Sequence, residues 1–307
     1  MRTLPSALDV SGGEWREEEL IVLNLYIVLR TNEPGLADHL RTIFPCQDSL
    51  AATVPPGRRD YVVSSVRNQA HQQAYEVIES GRVVLRTSDR DTLLTYLERS
   101  ICNAIAEHLG TKYLLIHAAA LAYGWCGMLF PGPSDAGKSL TAAALAVNGF
   151  QYFSDEVAVV TDDGRLRPFP KVISLKADGW RKLNEAFPFV APAGCWLPSS
   201  ESGLYHLDPS HRVKSGGRWA GPPVSFIILP SRRATASAVL EPLPKAAALT
   251  RLVEQSLNLR QLGARAMGVL VRLVQESECF MLAAGSLREA GPLVARLTQL
   301  RRDPGLR

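Results

Sequence analysis

The sequence predicts an α/β protein of α+β character, a larger α/β core preceded by a small, mostly β module. Three observations predict it. The apolar run Gly127-Met128-Leu129-Phe130 leads into the glycine-containing turn Gly132-Pro133-Ser134-Asp135-Ala136-Gly137-Lys138-Ser139, and an Ala- and Leu-rich helix opens at the lysine and runs to Val147. Short β-rich runs broken by turn residues recur within residues 1–87. Apolar strands and helical spacings then follow each other to the C-terminus without an internal repeat.

Bulk properties narrow the class. A chain of 307 residues accommodates one large or two modest domains, and 46% hydrophobic with 21% charged residues describes an ordinary globular chain. The net charge of +4 comes from Arg and Lys spread along the chain, too little for a nucleic-acid footprint. The five cysteines, Cys46, Cys102, Cys126, Cys195 and Cys279, form no Cys-x-x-Cys pair, which argues against a zinc site or disulfide framework and for a reducing compartment. Met1 to Gly13 lacks a signal-peptide pattern, and the best apolar run, Tyr113 to Phe130, carries His117 and ends in the glycine-containing turn. A cytoplasmic protein with no membrane partner is expected.

In order, residues 1 to about 14 read as a tail, and Leu20 to Leu29 as one strand. Pro34 opens a short helix with Leu36, Leu40 and Ile43 on one face, and Pro45 to Arg59 is a loop. Strands at Tyr61–Val66, Ala74–Ile78 and Val83–Arg86, with a turn at Glu79 to Arg82, complete the N-terminal module, 1–87, a candidate for recognising a substrate or partner. Ser88 caps a helix with Asp89 and Asp91 in its first turn and Leu93, Leu97, Ile101 and Ile105 along one stripe, closed at Gly110. This segment, 88–112, bridges to the core, 113–307. There, strands Tyr113–Ala122 and Trp125–Phe130 are joined by a turn at Tyr123-Gly124. Gly149 stops the following helix, and Gln151–Val160 reads as one strand with two adjacent acids in its middle. Asp162-Asp163-Gly164 turns the chain back through Leu166 and Phe169. Beyond Pro170 the chain is irregular, rich in Pro, Gly and Ser from Phe187 to Pro223. Then come a strand at Val224–Leu229, helical spacings at Leu249 to Leu257 and Leu262 to Leu273, a strand at Glu278–Ala283 and a helix at Leu287–Leu300.

The Gly132–Ser139 stretch fits Gly-x-x-x-x-Gly-Lys-Ser/Thr in the strand–loop–helix context that motif requires. In such a loop consecutive backbone N–H groups curl around a polyphosphate, the helix opening through Leu140 adds partial positive charge, Lys138 neutralises phosphate, and the Ser139 hydroxyl can ligate magnesium. Asp155 and Glu156 follow Ser139 by one helix, a turn and half a strand, enough to return beside the loop. Two acids in an apolar strand are costly unless they meet a cation or a substrate proton; the plainer alternative is that one points to solvent. Arg232 and Arg233, at the end of the Val224–Leu229 strand, are candidates to clamp phosphate or an acidic substrate, or are plain surface arginines. Arg301, Arg302 and Arg307 read as a solvated helix end.

Taken together, Ile116-His117, Gly132–Ser139, Ser154-Asp155-Glu156 and the stretch from Arg167 through Pro168, Pro170 and Lys171 to Lys176 resemble HPr kinase/phosphorylase and its related serine kinases, among them lasso-peptide precursor kinases, over about Tyr113 to Leu300. The resemblance implies a core like the HPr kinase C-terminal domain and phosphoenolpyruvate carboxykinase, and the short link from Ala118 to Phe130, which leaves no room for a crossover helix, agrees. It implies ATP and Mg2+ as cofactors, with GTP and pyrophosphate open as donors, and a serine hydroxyl of a peptide or protein as acceptor. Asp155 takes the position of the general base, and Glu156 stands where the family has a second aspartate, leaving direct or water-mediated magnesium binding open. His117 stands at the family's histidine, near the transferred phosphate or in the core. The glycine-containing segment of the bifunctional enzymes has no clear counterpart after Ser174, so phosphorolysis is not expected, and the N-terminal module differs from theirs. A homo-oligomer is left open. The rival readings are a small-molecule kinase and a nucleotide-binding regulatory protein without transfer activity.

Overall fold

The chain is described by a computed structural model covering residues 14–45, 55–67, 73–188, 196–198, 204–208, 221–231, 237–283 and 285–300. It is mixed α and β, with three sheets and eight helices among the described residues.

The first sheet has the order β1-β2-β3-β4-β5. Strand β1 (Arg16–Val22) pairs antiparallel with β2 (Leu25–Thr31), so the run read as one strand is a hairpin. Its turn residues, Leu23 at φ 51° and Asn24 at φ 67°, share the positive φ of the two-residue turns that match strand twist. Helix α1 (Leu36–Ile43) crosses to β3 (Gly57–Arg67), parallel to β2, and β4 (Gln73–Glu79) and β5 (Arg82–Thr87) follow antiparallel.

Helix α2 (Arg90–Gly110) is capped by Asp89 rather than Ser88, because the Asp89 carboxylate accepts the N–H groups of Asp91 and Thr92. Leu93, Leu97, Ile101 and Ile105 are fully buried in one cluster with Leu20, Ile27, Tyr61 and Val77 of the first sheet, each contributing roughly 1.5–3 kcal/mol. That cluster continues into Val157, Val159, Phe169 and Val172, so α2 is covered on both sides rather than spanning solvent.

The second sheet begins with β6 (Leu114–Tyr123) and β7 (Cys126–Pro131), a tight antiparallel hairpin as expected. After α3 (Lys138–Val147), the stretch expected as one strand is two, β8 (Gln151–Ser154) and β9 (Val157–Val160), both paired with β6 and broken at Asp155-Glu156. β10 (Leu166–Arg167) returns beside β9. The segment after Pro170 holds more structure than its composition suggests: β11 (Ile173–Lys176), α4 (Ala177–Ala186), β12 (Trp196–Pro198) and β13 (Leu204–Leu207), the strands forming a small sheet ordered β11-β13-β12.

Strand β14 (Val224–Ser231) runs parallel to β7, β15 (Val239–Pro242) forms the edge, α5 (Lys245–Glu254), α6 (Leu259–Leu262) and α7 (Ala264–Glu276) follow, and β16 (Glu278–Ala283), parallel to β14, leads to α8 (Leu287–Leu300). Helices α5 and α7 bury Leu252, Leu270 and Leu273 on one face of the sheet; α3 and α8 bury Leu145 and Val294 on the other. The parallel strands β7, β14 and β16 all end at the same side, the carboxyl edge where ligands gather in sheets of this kind. At the opposite end Gly127 permits β7 and the entry to β14 to approach closely, since a Cβ would sit 2.7 Å from the Pro223 carbonyl oxygen. Buried Asn258 ties α2 to β6: its Oδ1 accepts the Leu115 N–H at 3.0 Å and its Nδ2 donates to the carbonyls of Gly110 and Tyr113 at 2.9 and 2.8 Å. None of the described helices is long and apolar enough to cross a membrane.

Candidate functional site

The glycine-containing loop leaves β7 at the carboxyl edge and enters α3. Gly137, at φ 88°, is the residue before the helix, a conformation a side chain disfavours, and Asp135 is held at φ 62°. No side chain caps α3, so its first N–H groups face the loop as anion donors. Lys138 is buried and its ammonium donates to the Pro133 carbonyl at 2.8 Å. Burial pulls its proton affinity down, against the pull of Asp155, Glu156 and Asp135.

The break between β8 and β9 has a local cause. The Ser154 hydroxyl accepts the N–H groups of Glu156 and Val157 at 3.2 and 2.9 Å, a side-chain turn that competes with the strand ladder. It sends the two acids to different surroundings. Asp155 is 3% exposed; its Oδ1 accepts the Tyr152 phenol at 2.9 Å and its Oδ2 the Ser174 N–H at 3.4 Å. Burial pushes the Asp155 carboxyl above its ordinary range, with Lys171 opposing. The Glu156 side chain is 49% exposed.

Both acids line a cavity of about 480 Å³ together with His117, Lys138, Ser139 and Lys171, and with Ser134, Asp135, Gly137 and Leu140. The expected residues of loop, strand and histidine therefore meet in one place. Gly132, Pro133 and Ala136 shape the loop without lining this cavity. His117 is half-buried, and burial first, then Lys138, hold its imidazole below its ordinary value, so it is neutral at pH 7. A second cavity, about 770 Å³, lies across the loop at the ends of β14 and β16. Asp135, Ala136, Gly137, Leu140, Lys182, Leu282, Leu287 and Arg288 line it. Asp135, Gly137, Leu140 and Lys182 line both cavities, which therefore adjoin across the loop. Lys176 reaches Asp135 at 2.6 Å there.

Behind the first cavity lies a polar cluster with no local signature in the sequence. Lys171, its side chain 5% exposed, reaches Glu98 of α2 at 3.0 Å, the Ser174 hydroxyl at 3.0 Å and Glu156 at 3.4 Å. The Ser174 hydroxyl donates to Glu98 at 2.9 Å, and His206 of β13 lies 3.1 Å from Ser174 and 3.7 Å from Glu98. Burial alone would lower the Lys171 ammonium, but Glu98 and Asp155 hold it well above its ordinary value. Burial would likewise raise the Glu98 carboxyl, yet Lys171 and His206 hold it below the usual carboxylate range.

Magnesium takes hard oxygen ligands and keeps several waters and phosphate oxygens, so it asks for one or two protein groups rather than a cage. The Ser139 hydroxyl and the Asp155 and Glu156 carboxylates, which line the same cavity, fit that demand. Among the described residues no group of three or more His, Cys, Asp or Glu is gathered to hold a metal ion. Arg232, Arg233, Arg301, Arg302 and Arg307 lie outside the described residues. Comparison with known proteins found no matching family model and no matching curated protein.

Proposed function

We propose that the chain is an ATP- and magnesium-dependent kinase, related to the HPr-kinase-like serine kinases, that phosphorylates a serine hydroxyl of a peptide or protein. The observation that carries the proposal is the meeting of Lys138, Ser139 and the buried Asp155 carboxylate around one cavity at the mouth of an uncapped helix. The loop N–H groups and Lys138 would hold the terminal phosphates, with the nucleoside in the second cavity. Ser139 and Glu156, with Asp155 behind, would hold magnesium, which when bound neutralises charge on the transferring phosphoryl group. Asp155 would take the acceptor proton, a role suited by a carboxyl raised toward the working pH. His117, neutral, can orient a phosphate oxygen without adding charge.

The test is incubation with γ-labelled ATP and magnesium, with serine-containing peptides in one arm and small hydroxylated metabolites in the other. Label on peptide serine supports the reading. Label on metabolites alone moves the acceptor to small molecules, and nucleotide binding without any transfer makes the chain a nucleotide-binding regulatory protein.

A further inference from the structure

Lys171 faces a choice of anions. Its three ammonium protons meet three oxygens: Glu98, Ser174 and Glu156. Glu98 is the only one of these on α2, the helix that carries the first sheet, and it also accepts the Ser174 hydroxyl. The contact with Glu98 is the shorter of the two carboxylate contacts, 3.0 against 3.4 Å, and both partners are buried, where an ion pair is screened least. Without Glu98, the nearest anions for a buried cation are Glu156 and Asp155, the carboxylates that face the loop.

We propose that Glu98 is a positioning residue of the phosphate site: it draws Lys171 into the shorter contact, leaving Glu156 only the longer 3.4 Å one, so that the Glu156 carboxylate stays turned to the cavity and available to a magnesium-bound polyphosphate. This rests on the function proposed above. Glu98 touches no ligand itself; it acts through Lys171.

The experiment measures the affinity of a fluorescent ATP analogue with and without magnesium, in the wild type, Glu98→Gln, Glu98→Asp and the double variant Glu98→Gln/Lys171→Met. Magnesium should tighten binding in the wild type. In Glu98→Gln that magnesium enhancement should fall on the order of tenfold, because Lys171 now competes for the same carboxylates. It should recover in the double variant, where the competing cation is gone, and largely persist in Glu98→Asp. A purely structural role predicts the opposite order, with the double variant no better than the single one. An unchanged enhancement in Glu98→Gln, or a double variant as poor as the single, overturns the inference while leaving the kinase reading intact. Should Glu98→Gln fail to fold, the double variant, from which both the Glu98 and Lys171 charges are removed, decides: loss of its enhancement overturns the inference. A wild type whose nucleotide binding ignores magnesium refutes both.

Discussion

Replacing Lys171 by Met tests the buried cluster from the side of stability. The substitution keeps most of the volume and removes the charge, leaving Glu98 buried beside His206 with its principal counter-ion gone. Breaking a buried pair by deleting one partner costs about 3–5 kcal/mol, most of it the desolvation of the charge left behind. The pH dependence distinguishes this from a packing loss. In the wild type the Glu98 carboxyl is depressed, so its contribution is present above its unfolded value and is lost as pH falls through the lower folded value. In Lys171→Met the desolvation that Lys171 opposed prevails and the carboxyl rises. The penalty is then largest at neutral pH and shrinks on acidification, as Glu98 takes up a proton. Urea denaturation followed by tryptophan fluorescence at pH 7.5 and at about pH 5 measures both quantities. A deficit below about 1 kcal/mol at pH 7.5, or one that grows toward pH 5, would refute the electrostatic account.

Further outcomes are expected. Asp155→Asn abolishes phosphate transfer while the fluorescent ATP analogue still binds; undiminished transfer removes Asp155 as the proton acceptor. Lys138→Ala deletes a charge-assisted contact of about 1.5–3 kcal/mol and weakens the same binding roughly 10- to 150-fold, whereas an unchanged affinity places the polyphosphate elsewhere. Asn258→Ala orphans the buried Leu115 N–H and two carbonyls, so thermal unfolding should show a loss of at least about 2 kcal/mol, with nucleotide affinity unaffected below the transition.

What could be read from the sequence was what is decided locally. Glycine at position 137 announces the sharp turn into α3 because backbone freedom is a property of that residue, and the helix behind it follows from its Ala and Leu content. The separation of Ser139 from the acids fixed their return beside the loop. The hairpin at Leu23-Asn24 was hidden because a leucine is a poor signal for positive φ; the pairing of β1 with β2 imposes it. The split of β8 from β9 was written in Ser154, whose capping of two N–H groups needs no distant contact, but the surrounding apolar run masks it. Helix α4 escaped notice because Leu183 is its only buried residue, and its regularity shows instead in Asp178–Lys182 and Arg181–Glu185 pairs. The meeting of Glu98 with Lys171, Ser174 and His206 had no local trace, since α2 meets the β11–β13 pair, in which Ser174 faces His206, only through tertiary packing.

The contact between Lys176 and Asp135 gives the loop a response to ionic strength. Asp135 lines both cavities and Lys176 the first, yet their side chains are 61% and 73% exposed, and an ion pair so wetted is worth about 0–1 kcal/mol. It is a contact that thermal motion opens and added salt loosens. A polyphosphate held by the loop as proposed would offer Lys176 a denser anion than Asp135, and so exposed a pair would exchange partners at little cost.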